Sequence, residues 1–420
     1  MIAADLSSWV PVEPGSDFPI QNLPYGVFEQ QDGEPHIGVA IGEQIFDLHL
    51  AAEEELFENV ADRAVLQAPT LNALLAAGPG VWSGVRSRLA DLLVSDSAEL
   101  SAESRDGFLV AQSAVRMLLP FAPGDYVDFY SSLEHATNLG KILRPNTEPL
   151  LPNWRWIPIG YHGRSSTIVV DGTPVVRPNG QRKGENEPTF GPTRLLDVEL
   201  EMGFVTGSGN RMGTAIPVQH AGDHIFGLVL VNDWSARDIQ AWEYQPLGPF
   251  LGKSFATSVS PWVVPLDALE PYRVRGPEQT PEPLEYLRTS RDWNYDVTLT
   301  VELQTPRMRE RGLPAEIVSR SNFKYMYWNM AQQLAHATCN GTAVRAGDLY
   351  ASGTISGPDP QSAGSLIELT WRGERPLHLQ SGESRTFLED GDTVTMRGFC
   401  EAPGKPRIGF GCVRGTIVPS

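Results

Sequence analysis

Glycine and proline recur at short intervals, with 40 glycines and 34 prolines among the 420 residues of the sequence. Both residues interrupt regular structure, since proline lacks a backbone donor and glycine favours turns. Between the turns lie short runs rich in β-branched and aromatic residues, for example 224–231, 296–303 and 393–398. Such spacing predicts many short strands rather than long helices. The chain is therefore expected to be mainly β.

The sequence changes character near residue 120. Residues 1–118 contain two short apolar runs around the turn signal Gln31-Asp32-Gly33, followed by segments typical of amphipathic helices. The Pro/Gly-rich segment 118–124 ends this part. We expect a small N-terminal barrel or sheet at 1–118 and one large, mostly β domain at 119–420.

Composition excludes several classes of protein. A formal net charge of −18 argues against partners that are nucleic acids or anionic membrane surfaces. No apolar run is long enough for a transmembrane helix, and the N-terminus lacks the features of a signal peptide. Three cysteines without C-x-x-C spacing indicate neither a disulfide framework nor a zinc site. A cytoplasmic protein is expected.

An acidic strand is the first candidate for chemistry. In Leu195–Phe204, β alternation places Asp197, Glu199 and Glu201 on one face and apolar side chains on the other. Neighbouring carboxylates repel unless a cation compensates them, and a divalent ion with oxygen ligands would do so. The alternative is an acidic face turned to solvent.

A second candidate follows the apolar run 225–231. A helix starting near Trp234 would align Asp233, Arg237, Gln240 and Tyr244 on one face, with Asn232 or Asp233 as its cap. An acid, a guanidinium, an amide and a phenol are unusual on a core face. The stripe indicates either a functional site or an exposed face.

Three further charged side chains stand in unusual surroundings. Lys253 lies among small and apolar residues, so it either extends to solvent or is paired at a site. His135 lies in a segment crowded with aromatic and acidic residues, and Glu368 lies in the apolar run Ser365–Leu369, interpreted as a strand. A buried carboxylate needs a partner. A His–Glu pair would provide one and make the imidazole more basic, although a structural histidine is the alternative.

Taken together, these segments resemble the fumarylacetoacetate hydrolase family. The resemblance rests on strings spread over residues 120–400: Asp125–Ser132, His135–Asn138, Gly160–Arg164, Leu196–Met202, Asn232–Asp238, Gly252–Ser254 and Ala351–Pro358. It implies a small SH3-like N-terminal barrel followed by a large mixed β-sandwich roll, usually in a homodimer. It also implies hydrolysis of a carbon–carbon bond that converts 4-fumarylacetoacetate to fumarate and acetoacetate.

The resemblance also implies roles for individual residues. The implied calcium ligands are Asp128, Glu199, Glu201 and Asp233. A second ion, magnesium, is implied at Asp233, Lys253 and Thr257, with Lys253 contributing its backbone carbonyl because an ammonium group cannot bind a cation. The implied substrate contacts are Tyr130, Arg144, Tyr161, Gln240, Tyr244 and Thr354. The implied general base is His135, oriented by Glu368, with Arg237, Gln240 and Lys253 as donors to developing oxyanions.

Two other functions remain open on the sequence. One is a related activity on another β-keto acid, as an acylpyruvate hydrolase, a decarboxylase or a hydratase. The other is a catalytically inactive protein in which the acids only bind metal. The N-terminal 118 residues weigh against the first, and the combined base, orienting acid and oxyanion donors weigh against the second.

Overall fold

The computed structural model describes residues 2–30 and 33–420, so the predicted turn residues Gln31 and Asp32 lie outside the described residues. Within those residues the expectation of a mainly β chain is confirmed. The strands β1 to β26 are, in chain order, Tyr25–Glu29, His36–Ile41, Gln44–Asp47, Leu109–Ala111, Arg116–Leu118, Tyr126–Phe129, Gly160–His162, Ile168–Val170, Val175–Val176, Asn179–Arg182, Thr189–Pro192, Leu196–Asp197, Leu200–Thr206, Ile225–Asp233, Ser235–Ala236, Thr257–Val259, Val264–Pro265, Arg273–Val274, Asn294–Tyr295, Thr298–Gln304, Glu316–Asn322, Leu349–Ala351, Leu377–His378, Ser384–Arg385, Thr393–Cys400 and Ile408–Val418.

The helices are mostly short, as the glycine and proline content predicts. In the part of the chain that the structure describes, the α-helices α1 to α11 are Leu48–Glu53, Arg63–Leu66, Asn72–Ala76, Pro79–Leu93, Ala102–Arg105, Leu133–Leu143, Arg237–Glu243, Leu266–Leu269, Pro306–Glu310, Met330–Thr338 and Leu366–Leu369. Across residues 2–30 and 33–420, no helix combines the length and apolar character needed to cross a bilayer.

The N-terminal part forms a five-stranded antiparallel sheet in the order β4-β3-β2-β1-β5, with helices α1–α5 in its connections. This arrangement is compatible with the small barrel that the resemblance implies. Strand β5 ends at Leu118 and β6 begins at Tyr126, at the Pro/Gly-rich segment.

The remaining chain builds a larger sheet system. An eight-stranded sheet has the order β7-β6-β22-β13-β14-β16-β8, with β17 paired to β14, and a five-stranded sheet has the order β21-β20-β25-β26-β9. The first sheet is mixed, since β22 pairs parallel with β6 and antiparallel with β13. This order places Asp128 of β6, Glu201 of β13 and Asp233 of β14 at one region of one sheet.

Strand β14 is buried on both faces, and all nine of its residues are buried. Leu228 and Leu230 pack into the core of the large β domain. Val229 and Val231 point the other way, into a core that also contains Tyr25 and many other residues of the N-terminal part. The N-terminal sheet therefore packs behind the strands that carry the acids.

Two predictions of local structure are wrong. Asp233 is the last residue of β14, and α7 begins only at Arg237 with Ala236 as its N-cap, so neither Asn232 nor Asp233 caps a helix. Glu368 lies on the short helix α11 rather than on a strand. In both segments a buried apolar run has the same composition whichever backbone conformation it adopts.

Candidate active site

Four carboxylates meet at the centre of the eight-stranded sheet. Asp128, Glu199, Glu201 and Asp233 are all buried, and each offers an oxygen within 4.8 Å of the oxygens offered by the others. Glu199 precedes β13 and Glu201 lies within it, so the alternation of the sequence does place them together. The alternative of a solvent-facing acidic strand is wrong for these two residues.

Two cations compensate part of this charge. Lys253 Nζ lies 2.5 Å from Glu199 Oε2 and 2.9 Å from Asp233 Oδ2. Arg237 Nη1 lies 2.7 Å from Glu199 Oε1, while its Nε donates to Asp197. Burial would raise the pKa of Glu199, but the charges of Lys253 and Arg237 outweigh burial and hold that pKa well below its usual range. Lys253 is therefore paired at the site and does not extend to solvent.

The other two acids are less well compensated. Asp128 Oδ1 and Glu201 Oε1 are buried without a hydrogen-bond partner among the described residues. Burial, together with the charge of a neighbouring carboxylate, raises the pKa of both groups well above the usual range. Such orphaned oxygens beside further carboxylates are what a hard divalent cation binds. The cluster can thus hold a divalent metal ion.

Asp233 is also held by two hydroxyl groups. Thr257 Oγ1 donates to Asp233 Oδ1 over 2.9 Å, and the Tyr161 hydroxyl donates to Oδ2 over 3.2 Å. Lys253 is directed at the acids through its ammonium group. Participation of its backbone carbonyl in a magnesium site stays a prediction.

A second polar cluster stands beside the acids. His135 on α6 and Glu368 on α11 are separated by 233 residues in sequence, and Nδ1 of the first lies 2.6 Å from Oε2 of the second. Both side chains are almost wholly buried. The structure therefore brings together the two residues that the sequence offered as a base and its orienting acid.

Glu368 is fixed by several donors. Asn138 Nδ2 donates to Oε1 over 2.9 Å, Ser365 Oγ donates to Oε2 over 2.7 Å, and Ser356 Oγ lies 3.0 Å from each oxygen. Burial opposes ionisation, but His135 and these hydrogen bonds prevail and lower the pKa of Glu368. An ionised Glu368 only accepts, so His135 Nδ1 carries the shared hydrogen, and in the neutral form of the ring Nε2 is then the acceptor.

Both clusters face one cavity of about 370 Å³. Its wall includes every residue predicted to contact substrate: Tyr130, Arg144, Tyr161, Gln240, Tyr244 and Thr354. It also includes Asp128, His135, Glu199, Arg237 and Lys253. Glu368 and Asp233 stand one layer behind this wall, where they bond to His135 and Lys253.

Several donors on the wall remain available. Arg237 Nη2 and Thr354 Oγ1 are buried without a hydrogen-bond partner among the described residues. Gln240 is oriented through its Oε1, which accepts from Arg237 Nη1 over 3.2 Å. The rings of Tyr130 and His135 pack in a T-shaped arrangement, with ring centroids 5.3 Å apart. The cavity thus combines a basic nitrogen, free donors and a candidate metal cluster.

Sequence reasoning missed the residues that hold these groups in place. Asn138 lies three residues after His135 on α6, a spacing that puts both on one side of a helix. Ser365 lies three residues before Glu368, a relation visible only once α11 is recognised as a helix. Asp197 accepts from Arg237 Nε over 2.8 Å and from the backbone of Leu366 over 2.7 Å. The position of Asp197 on the acidic face of the predicted strand was the sequence signal that could have identified it.

Comparison with known proteins agrees with this architecture. The sequence profile described as "Fumarylacetoacetate (FAA) hydrolase C-terminal" matches residues 126–418, and the one described as "Fumarylacetoacetase N-terminal" matches residues 21–120. Among solved structures, a fumarylacetoacetate hydrolase from Exiguobacterium antarcticum superposes with a TM-score of 0.54 at 16% identity, covering 95% of this chain and 100% of that one. At this identity the likeness concerns the fold alone.

Curated relatives are much more similar in sequence. The fumarylacetoacetase of Mus musculus is 50% identical over 421 residues, covering 98% of this chain and 99% of the relative. That of Caenorhabditis elegans is 51% identical over 424 residues, covering 99% of this chain and 100% of the relative. The chain belongs to the fumarylacetoacetate hydrolase family.

Proposed function

We propose that the protein is a hydrolase that cleaves 4-fumarylacetoacetate with water to give fumarate and acetoacetate, the last step of tyrosine and phenylalanine breakdown. The observation that carries this proposal is the single cavity onto which both the His135–Glu368 pair and the carboxylate cluster open. The full-length similarity to relatives named fumarylacetoacetase supports the choice of substrate.

His135 is proposed as the general base. Its Nε2 takes a proton from water, the water oxygen adds to a carbonyl carbon, and the adjacent carbon–carbon bond breaks. The electron pair of that bond leaves on the acetoacetate fragment, which takes up a proton. Glu368 holds the ring in the required tautomer and stabilises the imidazolium that forms.

The other wall residues are proposed to bind and polarise the substrate. Arg237, Gln240 and Lys253 donate to oxygens that gain negative charge as the bond breaks. The free Nη2 of Arg237 supplies such a donor without breaking an existing bond. Arg144, with Tyr130 as a neighbour on the wall, holds a substrate carboxylate, which suits a guanidinium.

Asp128, Glu199, Glu201 and Asp233 are proposed to hold calcium. A divalent ion held there would supply Lewis-acid stabilisation of the negative charge that develops on the substrate. Magnesium is proposed as a second ion near Asp233, Lys253 and Thr257. Isothermal titration of each ion into chelator-treated protein tests both assignments, because oxygen ligands suit calcium, magnesium and manganese to different degrees.

One assay separates this function from its alternatives. Loss of 4-fumarylacetoacetate absorbance is expected to require a divalent ion and to stop when chelator is added. Turnover of acylpyruvate without turnover of fumarylacetoacetate would favour the related activity on another β-keto acid. No turnover of either compound with metal present would favour a protein that only binds metal.

We propose a homodimer, as the resemblance implies. The segment after α7 carries large apolar side chains on the surface, with Leu247 96% and Phe250 68% exposed. Exposed apolar clusters of this kind favour self-association. Light scattering after size-exclusion chromatography should give twice the mass of the chain, and Phe250→Asp should shift it toward the monomer.

The domain division and the location in the cell are also proposals. We propose separate units at 1–118 and 119–420, and limited proteolysis should cut first between β5 and β6. We propose a cytoplasmic location, with neither nucleic acid nor membrane as partner, in keeping with the charge of −18. Cell fractionation tests the location.

A further inference from the structure

A second cavity, of about 690 Å³, adjoins the catalytic one. Its wall is formed by parts of β10, β11, α7 and α11, and we call it the basic cavity. Arg237 and Leu143 line both cavities, so the two are neighbours that share these side chains. None of the roles proposed above uses this space.

The wall of the basic cavity is rich in positive charge. Its cationic side chains are Arg182, Lys183, Arg194, Arg237 and Arg372. They face two carboxylates, Glu185 and Asp238. Arg237 is already paired with Asp197 and Glu199, which leaves four cations against two carboxylates. This local excess of positive charge contrasts with the net charge of −18 of the whole chain, so it marks a place where an anion is attracted.

Arg182 is the central observation. The residue is only 8% exposed, and its Nε is buried without a hydrogen-bond partner among the described residues. Its Nη1 lies 3.9 Å from Asp238 Oδ2, which is beyond hydrogen-bonding distance. A buried guanidinium with an unmatched donor is costly unless a ligand completes it.

Asp238 is held by other donors and makes no hydrogen bond to Arg182. Its oxygens accept from the Thr193 hydroxyl, from the backbone nitrogen of Arg194 over 2.9 Å and from that of Ile239 over 3.1 Å. The carboxylate therefore serves to fix the start of α7 and the loop before β12. The buried Nε of Arg182 is therefore available to a ligand in the cavity.

The ligand that fits is a small dicarboxylate. A planar carboxylate matches the fork of a guanidinium and binds it with two parallel hydrogen bonds. Lys183, Arg194 and Arg372 are exposed at the rim, where they can receive a second carboxylate of the same molecule. Fumarate has this chemistry, since its two carboxylates are held apart by a rigid double bond.

We propose that the basic cavity is a second carboxylate-binding site, distinct from the catalytic cavity, and that it takes the dicarboxylate class to which fumarate belongs. The choice of fumarate rests on the proposed function, whereas the site itself rests on Arg182 and its surroundings. Because Arg237 lines both cavities, a dicarboxylate here lies next to a side chain that the catalytic cavity also uses.

Equilibrium dialysis of radiolabelled fumarate against the metal-loaded protein tests the proposal without turnover. Two fumarate molecules per chain are expected, one in each cavity. Arg182→Gln should weaken one of the two by at least about tenfold, as expected for the loss of a charge-assisted pair. Arg144→Gln should weaken the other. Arg320→Gln, at an exposed position of β21, is the matched control and should retain both binding events.

A surface variant protects the test against a folding defect. Arg194→Gln alters an exposed side chain and should weaken the same binding event as Arg182→Gln, with an unchanged thermal midpoint. Binding of a single fumarate that neither variant affects would overturn the proposal. Equal displacement of radiolabelled fumarate by unlabelled acetate and unlabelled fumarate would also overturn it, because a monocarboxylate cannot bridge Arg182 and the rim. Failure of the proposed function would instead appear as absent turnover with both binding events intact.

Discussion

Replacing Glu368 by glutamine keeps the shape of the side chain and removes its charge. The amide has one acceptor oxygen where the carboxylate has two, yet Glu368 receives hydrogen bonds from His135, Asn138, Ser356 and Ser365. The amide NH₂ of the glutamine must therefore face a group that donates to Glu368 in the unmodified protein. When that group is His135, Nδ1 becomes the acceptor and the hydrogen moves to Nε2, which faces the cavity.

The expected cost follows from this change of tautomer. An imidazole with hydrogen on Nε2 cannot take a proton from water there, so the contribution of the general base is lost. Such a contribution amounts to about 10²- to 10⁴-fold in rate, which corresponds to about 2.7 to 5.4 kcal/mol of activation free energy. The KM should change much less, because Glu368 stands behind the wall that contacts substrate.

The assay is the initial rate of 4-fumarylacetoacetate loss at saturating calcium, with calcium affinity measured on the same preparations. Glu134→Gln is the matched control, since it makes the same chemical change one residue before His135 without altering the bond to Glu368. That control should retain most of the activity of the unmodified protein.

Glu368→Gln should also alter acid stability. The pKa of Glu368 is lowered in the folded protein, so its charge stabilises the fold above the ordinary range of a glutamate and ceases to do so as the pH falls below about 4.5. The difference in thermal midpoint between the two proteins should therefore narrow from pH 6 to pH 3. A variant with near-normal kcat at neutral pH would refute the role given to this pair.

Further predictions concern the base, the metal and one backbone position. His135→Ala should abolish turnover while calcium affinity, measured by isothermal titration, stays within about twofold, because the ring is not among the four acids. Glu201→Gln should weaken calcium binding and activity together, by at least about tenfold in affinity, since it replaces a charged ligand by a neutral one. Because burial raises the pKa of Asp128 and Glu201, protons compete with the ion, so calcium affinity should rise between pH 5 and pH 8 in the same titration. Gly353→Ala should lower the thermal midpoint and weaken calcium binding. The reason is that Gly353 has φ +76° and a Cβ there would lie 2.1 Å from the backbone oxygen of Phe129. An unchanged thermal midpoint would contradict this prediction.

The sequence indicated the acid cluster because alternation along a strand is a local property. Glu199 and Glu201 share a side of the chain wherever the segment is extended, without reference to the rest of the protein. The helical stripe predicted to start at Asp233 was wrong, since Asp233 ends β14 and α7 begins at Arg237. The position of Asp233 at the end of a buried strand brings it to the same cluster.

The basic cavity could not be found in this way. Arg182, Arg194 and Arg372 stand in separate segments, and each has the composition of an ordinary polar turn. Only the pairing of β10 with β11 and the packing of α7 and α11 bring them to one wall. The contact between His135 and Glu368 likewise depends on the tertiary fold, because 233 residues separate the two side chains.

The double burial of β14 has a consequence for inherited or engineered variation in the first 118 residues. None of the described residues of that part lies in the wall of the catalytic cavity, yet Val229 and Val231 of β14 pack into the core that this part shares. A substitution such as Val27→Ala should therefore leave the turnover number of each folded molecule nearly intact and reduce how many folded molecules a cell maintains. A loss of about 1–2 kcal/mol is enough to change the abundance of a protein several-fold. For this N-terminal part of the chain, the amount of folded enzyme rather than its turnover number is the property at risk.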